Sequence, residues 1–206
     1  LRGCTIRFNG TSPLLLGFFI IKNFLGGIAL DQERLIELDK KHFIHPTSSI
    51  QQQQEFGPKI IIEKGEGIYL TDKNGNVYID AMASLWNVNV GHGREELAEA
   101  AAEQMKKLAF SSSFSTFSNE PAILLAEKIS SIAPEGLNAV FFTSGGSESN
   151  DTAIKLVRHY WRIQGKPEKR KIIGLNRAYH GVAAASTSAT GIPEFWNMAG
   201  KMMVDM

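Results

Sequence analysis

A glycine-rich turn after a short apolar run carries the residue types best suited to binding a ligand. It reads Thr-Ser-Gly-Gly-Ser-Glu-Ser-Asn-Asp over residues 143–151, directly after Ala-Val-Phe-Phe at residues 139–142. Glycines let backbone N–H groups approach an anion closely, and a helix start adds unpaired N–H groups and the positive end of the helix dipole. We interpret Gly145, Gly146 and Ser147 as a phosphate-binding cup, with Ser147 as the helix N-cap. The alternative is a tight turn, capped by Ser147, that binds nothing.

The residues around the glycines restrict the kind of phosphate. A P-loop requires lysine and then serine or threonine after its last glycine, whereas Glu148 occupies that region here. A dinucleotide-binding turn requires three glycines in the spacing G-x-G-x-x-G, which residues 145–148 do not supply. The pattern therefore favours a single phosphate monoester over a nucleotide.

A second pair of candidates, Tyr179 and His180, follows the apolar segment at residues 171–175. Ligands of open α/β sheets bind at the carboxyl edge of the strands, where both this pair and the glycine turn are expected. Tyr179 could lie flat against a ring and His180 could add a hydrogen bond, although a Tyr-His pair in a loop can also serve packing alone. The two motifs together indicate a cofactor with a phosphate and a flat ring.

These motifs require a scaffold of alternating strands and helices. Residues 139–142 and 171–175 read as buried strands, joined by a helix that ends near Gly165 and makes a right-handed parallel crossover. The helix is predicted to bury one stripe, formed by Ala153, Val157, Tyr160 and Trp161. Upstream, the pattern predicts a helix over 31–42, a polar linker over 51–54, a small antiparallel unit over 59–80 with its hairpin turn at Asn74-Gly75, and helices over 95–108 and 120–132.

Composition sets broad limits on function. The chain has 206 residues, 43% of them hydrophobic, with 22 basic and 21 acidic residues, so it predicts a sizeable core and no electrostatic footprint for nucleic acid. A single cysteine, Cys4, allows no intrachain disulfide, and the five histidines show no metal-ligand spacing. Residues 1–30 contain an apolar run at 14–21 that is shorter than the roughly 20 residues of a membrane span. We expect either upstream sequence or an extended start there, with a targeting segment as the alternative, and a cytoplasmic protein without a membrane partner.

Residues 141–151 and the Tyr-His-Gly motif at 179–181 closely resemble the class III (ω-type) aminotransferases, which use pyridoxal 5'-phosphate (PLP) and have the type I fold. The resemblance covers about residues 31–200, and the nearest group is the ω-amino acid:pyruvate and amine:pyruvate aminotransferases. Further matching segments lie at 37–39, 42–46, 65–70 and 85–93.

The resemblance implies an α/β fold with a mostly parallel sheet flanked by helices and a smaller N-terminal α+β part, here truncated. It divides the chain into an atypical extension (1–30), a small-domain segment (31–90) and the start of the large PLP-binding domain (91–206). It also implies a homodimer for the complete protein, since active sites of the family form across the subunit interface.

By the same resemblance, Gly145, Gly146 and Ser147 hold the cofactor phosphate, Tyr179 stacks on the pyridine ring, and His180 lies beside it. One departure is Gly145, where relatives often have serine or asparagine, so the cup relies more on backbone N–H groups. Trp86 matches an aromatic wall of the substrate pocket, and Phe114 a residue lent to the neighbouring subunit's pocket. Without the resemblance, Trp86 reads as a core residue and Phe114 as simple packing.

The resemblance also indicates what these residues do not include. The lysine that forms the Schiff base with PLP is expected beyond Met206, so the catalytic residues are unknown and we expect this chain alone to be inactive. Lys155 and Lys166 fit solvated surface positions. The complete protein is expected to transfer an amino group from an amine or ω-amino acid to a keto acid such as pyruvate. The alternatives are a PLP decarboxylase or aminomutase of the same class, or a non-catalytic phosphate-binding remnant.

Overall fold

The structure, a computed structural model, describes residues 31–197. The chain divides into two compact units, with the boundary between Ala109 and Phe110. The apolar run at 14–21 lies outside the described residues, and the division at residues 30 and 90 remains a prediction. None of the helices within residues 31–197 is long and apolar enough to cross a bilayer.

The first unit combines helices with one small sheet. In chain order its elements are α1 (Gln32–His42), α2 (Ile50–Phe56), β1 (Ile62–Glu66), β2 (Tyr69–Asp72), β3 (Val77–Ile79), α3 (Ala83–Trp86) and α4 (Glu95–Lys107). The helix predicted over residues 31–42 is confirmed as α1. The Asp31 side chain caps its start by accepting a hydrogen bond from the Arg34 N–H at 2.7 Å.

The polar linker predicted over residues 51–54 is wrong, because these residues belong to α2. The Ser49 side chain caps this helix, accepting from the Gln52 N–H at 3.4 Å. Gln53 is buried, and its side-chain oxygen accepts a hydrogen bond from the His45 N–H at 2.9 Å. The polar run is therefore a helix with a capped start and one buried glutamine, which composition alone does not predict.

The predicted antiparallel unit is confirmed as a three-stranded sheet in the order β1-β2-β3. Its second turn contains Gly75 at φ +82°, a left-handed conformation suited to glycine. The Asp72 side chain accepts hydrogen bonds from the Asn74 and Asn76 N–H groups, each at 2.9 Å, and from the Tyr78 hydroxyl at 2.9 Å. These bonds, together with one from the Asn76 side-chain amide at 3.0 Å, make the Asp72 carboxylate the centre of the hairpin turn.

The β2–β3 hairpin is expected to open in acid. The Asn76 side chain, followed by the turn N–H groups and Tyr78, holds the pKa of Asp72 below its usual range. The carboxylate therefore contributes its full stability above about pH 4, and this stability is lost as pH falls through the lowered folded-state pKa. Hydrogen exchange of the Asn76 N–H, corrected for its intrinsic pH dependence, should show decreasing protection over this range. Asp72→Asn should show weaker protection that no longer follows the carboxyl titration, and an equal decrease in both proteins would contradict the expectation.

The second unit contains four helices within its described residues: α5 (Glu120–Ile132), α6 (Gly146–Ile163), α7 (Ala184–Ala189) and α8 (Pro193–Asn197). The prediction for α5 is confirmed, with the Asn119 side chain accepting from the Ala122 N–H at 3.0 Å. The end of α6 at Gly165 is confirmed too. Gly165 has φ +70°, its N–H bonds Arg162 O at 3.1 Å, and the Lys166 N–H bonds Trp161 O at 2.9 Å.

Two predictions about this unit are wrong for the described residues. Residues 139–142 and 171–175 form no ladder, and the nearest approach to a parallel pair is one isolated bridge between Asn176 and Gly191. A parallel strand takes its partners from distant parts of a chain, and among the described residues this pairing is limited to the bridge at Asn176, just after the second segment.

The predicted buried stripe of α6 is also wrong. Among the described residues of this helix only Ile154 is buried, while Val157 and Tyr160 are about half exposed. The physical reason is that α6 packs against α7 rather than against a ladder of strands. Ile154 lies one turn beyond Asn150 and Asp151, the side chains that contact the segment leading into α7.

Candidate functional site

The glycine turn forms the start of an 18-residue helix, as predicted, but with a different cap. Gly145 is the N-cap of α6 and has no side chain to offer, so the prediction that Ser147 caps the helix is wrong. The first helical bond joins the Ser149 N–H to Gly145 O at 3.0 Å. Among the described residues, the N–H groups of Gly146, Ser147 and Glu148 therefore have no acceptor and remain available to an anion.

Three polar side chains in the first turns of α6, which we call the clasp (Ser147, Asn150 and Asp151), hold the segment that contains Tyr179 and His180. The Ser147 hydroxyl accepts from the Val182 N–H at 3.0 Å, and the Asn150 amide donates to His180 O at 2.6 Å. The clasp therefore joins the two motifs that sequence analysis selected separately.

Asp151 completes the clasp at the start of α7. Its Oδ1 accepts from the Ser186 N–H at 2.7 Å and its Oδ2 from the Ala185 N–H at 3.4 Å. Ser186 is fully buried, so the Asp151 carboxylate satisfies a backbone donor that water does not reach. The position of Asp151 in the first turns of α6 does not by itself indicate this tertiary role.

Gly181 lies where α6, α7 and the Tyr-His segment come closest. Its φ is +129°, and a Cβ built there would lie 2.7 Å from Ser147 Oγ and 2.7 Å from both Ser186 Cβ and Ser186 Oγ. Real Cβ atoms do not approach other atoms so closely, so only glycine fits. The third residue of the Tyr-His-Gly motif thus sets the distance between cup and loop.

Thr190 holds the same segment from the other side. It is fully buried, and its hydroxyl accepts from the His180 N–H at 2.9 Å. The same hydroxyl lies 3.0 Å from Gly181 O and 3.0 Å from Ser186 O, either of which can accept its proton. The backbone of His180 is therefore fixed on both sides, by Thr190 and by Asn150.

The side chains of Tyr179 and His180 make fewer contacts than the backbone of their segment. Tyr179 is 56% exposed, and within residues 31–197 its ring has one aromatic neighbour, Phe195, at a centroid distance of 5.7 Å. His180 Nε2 is buried without a hydrogen-bond partner among the described residues. A free ring face and an orphaned buried nitrogen are what a flat, polar ring would complete.

Glu148 places a negative charge beside the phosphate-binding cup. Its Oε2 accepts from the Ser144 hydroxyl at 2.5 Å and from the Ser144 N–H at 2.8 Å. These bonds, the hydroxyl first, lower the pKa of Glu148, so it is ionised at neutral pH and lies in the first turn of α6. The carboxylate interacts favourably with the helix dipole but adds negative charge near the anion position.

The residues present fit a phosphate monoester attached to a flat ring. The free N–H groups of Gly146 and Ser147 lie in the first turn of α6. A Cβ at Gly145 or Gly146 would meet nothing within 4 Å, so the space beside these glycines is open. The Ser147 hydroxyl accepts one bond from Val182 and keeps its own proton to donate. Within the described residues, no cluster of His, Cys, Asp or Glu could hold a metal ion.

Trp86 belongs to the first unit and ends the short element α3. Its indole is 69% exposed, so the core alternative for this residue is wrong within the described residues. The backbone around it is unusual, with positive φ at Ala83, Ser84 and Trp86, and Ser84 at φ 60° and ψ −82°. Such conformations cost about 1–3 kcal/mol each and persist only where the surroundings impose them.

Phe114 lies in the irregular segment before α5 and is 82% exposed, so the alternative of simple packing is wrong within the described residues. Its N–H is bonded to the Ser112 hydroxyl at 3.0 Å. The roles of Trp86 and Phe114 at a substrate pocket remain predictions.

Comparisons with known proteins extend this interpretation. The profile of the family described as Aminotransferase class-III matches residues 50–205. A putrescine–pyruvate aminotransferase from Pseudomonas aeruginosa is 46% identical over 155 residues, which is 75% of this chain and 34% of the relative. The crystal structure of a transaminase from the marine bacterium Virgibacillus is 78% identical with a TM-score of 0.82, covering 84% of this chain and 39% of that one. The ω-transaminase of Pseudomonas jessenii in complex with PMP, the pyridoxamine form of the cofactor, is 42% identical with a TM-score of 0.80, covering 83% and 38%.

These similarities define the fold as that of the fold type I PLP-dependent enzymes. The chain belongs to the class III aminotransferase family, whose members depend on PLP. It spans about a third of the length of the curated relatives it matches. The resemblance found in the sequence is therefore confirmed for the family and for the fold.

Proposed function

We propose that the protein containing this chain is a PLP-dependent transaminase that moves an amino group from an amine or ω-amino acid to a keto acid such as pyruvate. The observation that carries this proposal is the clasp, which attaches an uncapped helix start to a segment with a free ring face. Membership of the family and the pyruvate-using relative support the choice of reaction. A dimeric, cytoplasmic protein is part of the same proposal.

The residues of this chain bind and orient the cofactor. The N–H groups of Gly146 and Ser147 would hold the phosphate, the Tyr179 ring would lie against the pyridine, and His180 Nε2 would meet a polar atom of the ring. PLP, when bound, supplies the electron sink that transamination requires. Gly145 would contribute its backbone alone, since it has no side chain.

The proposal is tested with the complete parent protein loaded with pyridoxamine phosphate and then given pyruvate. We expect the pyridoxamine absorbance to disappear and alanine to form in equal amount. Absence of both changes would overturn the proposal. Carbon dioxide release from an α,α-dialkyl amino acid would instead indicate a decarboxylase, since the same cup serves several reactions.

Tyr179 provides a prediction specific to the ring position. Replacing it with alanine removes an aromatic contact worth about 1.4 kcal/mol, so the affinity for pyridoxamine phosphate should fall about tenfold. Tyr179→Phe keeps the ring and should change the affinity less than about threefold. The measurement is a titration of the apo-protein followed by absorbance. An equal loss in both variants would show that the hydroxyl, and not the ring, matters.

A further inference from the structure

The turn that carries Trp86 is held in its unusual conformation by a residue that precedes it. The Asp80 carboxylate accepts the Ser84 N–H with both oxygens, at 2.9 and 2.8 Å, and Ser84 is the residue with φ 60° and ψ −82°. The Asp80 side chain is only 7% exposed. Backbone strain of this kind persists only when nearby groups impose it, and Asp80 is such a group.

Asp80 is itself fixed by His92. The His92 Nε2 donates to Asp80 Oδ2 at 2.8 Å, and the His92 side chain is 18% exposed. This bond is the first cause, and the Ser84 N–H the second, that lowers the pKa of Asp80, so the carboxylate remains an ionised acceptor at neutral pH. Asp80 and His92, which we call the bracket, therefore hold the turn through an ionised carboxylate.

His92 is anchored to the sheet. Its backbone exchanges two hydrogen bonds with Gly67, at 3.0 and 2.8 Å. A Cβ at Gly65 in β1 would lie 2.6 Å from the His92 ring, so the ring packs directly on the strand backbone. A continuous set of contacts thus runs from β1 through His92 and Asp80 to the turn.

The indole of Trp86 depends on this bracket for its direction. The side chain is 69% exposed and makes no aromatic pair with the other described residues. The backbone dihedrals of residues 83–86 set the direction of the Trp86 Cα–Cβ bond, and therefore the region that the indole can reach. A small rotation in that strained segment would swing a large ring through several ångströms.

We propose that Asp80 and His92 are positioning residues that fix the Trp86 turn and thereby determine which amino donors the enzyme accepts. For its last step, the contact of Trp86 with the donor, this inference rests on the proposed function and on the place in the substrate pocket that the family resemblance implies for Trp86. The first step, the fixing of the turn, stands on the geometry alone. The two steps are therefore tested by different readouts.

The first readout is ¹⁹F NMR of the parent protein labelled with 5-fluorotryptophan, with the Trp86 signal assigned by its loss in Trp86→Phe. In His92→Leu we expect this signal to shift or to split, because the turn exchanges between conformations. His92→Gln keeps a donor near the Nε2 position and should restore the native signal. The matched control is His45→Leu, which breaks a His–Asp pair of the same 2.8 Å length, to Asp39, in the same unit but away from the turn.

The second readout is steady-state kinetics with one small and one bulky amine. In His92→Leu we expect the ratio of kcat/KM for the two amines to change at least tenfold, chiefly through KM, with no such change in His45→Leu. An unaltered Trp86 signal in a folded His92→Leu protein would overturn the positioning role. A shifted signal with an unchanged ratio would overturn the role in donor choice. If the unaltered parent shows no transamination, the proposed function fails, and the NMR result still decides whether Asp80 and His92 fix the turn.

Discussion

Gly181→Ala is expected to reduce the affinity of the parent protein for pyridoxamine phosphate about 100-fold or more. The new Cβ would lie 2.7 Å from atoms of both Ser147 and Ser186, at a φ of +129° that only glycine adopts readily. Overpacking of this kind costs about 1–3 kcal/mol, and backbone strain adds a similar amount. Because Ser147 belongs to the cup, relief of the clash moves the cup away from the Tyr-His segment. The dissociation constant is measured by titration of the apo-protein.

Gly165→Ala is the matched control for this substitution. Gly165 also has a positive φ, +70°, and it follows the other end of the same helix, but a Cβ there would meet nothing within 4 Å. Its replacement should cost about 1 kcal/mol of stability through local strain and leave the cofactor affinity unchanged. Equal losses of affinity in the two variants would show that helix stability, and not the close approach at Gly181, determines binding.

Asp151→Ala is expected to increase hydrogen exchange at residues 184–190 about 100-fold. The substitution leaves the Ser186 N–H, which is fully buried, without its acceptor at 2.7 Å, and also removes the bond to Ala185. An unsatisfied buried donor costs about 1–3 kcal/mol, and the loss at the start of α7 resembles that of a helix cap. Local opening of this segment therefore becomes easier. Exchange is followed by mass spectrometry on the parent protein.

Two further variants separate the role of Asp151 from a general effect of charge. Asp151→Asn keeps one side-chain oxygen as an acceptor and should show an intermediate increase. Glu148→Gln removes a negative charge from the preceding turn of α6, but Glu148 contacts Ser144 rather than the segment at 184–190. Exchange in Glu148→Gln should match that of the unaltered protein, and an increase like that of Asp151→Ala would argue against the specific contact.

These contacts change how the glycine-rich motif is understood. Ser147 was predicted to cap the helix, yet it and the other two members of the clasp bind the segment at residues 180–186. The N–H groups of the helix start remain free for an anion, because no side chain caps them. The backbone N–H groups of the motif are therefore available to the phosphate, whereas its side chains hold the residues that would face the ring.

Most local signals in the sequence predicted the structure correctly, with the N-cap of α6 as an exception. Asp31 and Asn119 mark the starts of α1 and α5 because their side chains bond N–H groups three residues ahead. Gly165 marks the end of α6, and Gly75 the hairpin turn, because both require positive φ. Family membership and the fold also followed from the sequence, since several motifs occur in the order of the family.

The predictions that proved wrong concern burial or pairing with a partner elsewhere in the chain. The helix α2 buries Gln53 against residues that precede the helix, and the buried face of α6 packs against α7. The segments at 139–142 and 171–175 have apolar strand character but no ladder among the described residues.

The sequence by itself thus determined the family, the approximate bounds of α1, α4 and α5, and the cup and the Tyr-His pair as candidates. Only the tertiary structure decided that Ser147, Asn150 and Asp151 join these two motifs, and that Gly181 admits no side chain. The physical reason is that a hydrogen bond such as that from Val182 to Ser147, 35 residues apart, leaves no periodic trace along the chain. Caps and turns depend on residues that are neighbours in the sequence, whereas the hydrogen-bond partner of a side chain can be a backbone group far away in the sequence.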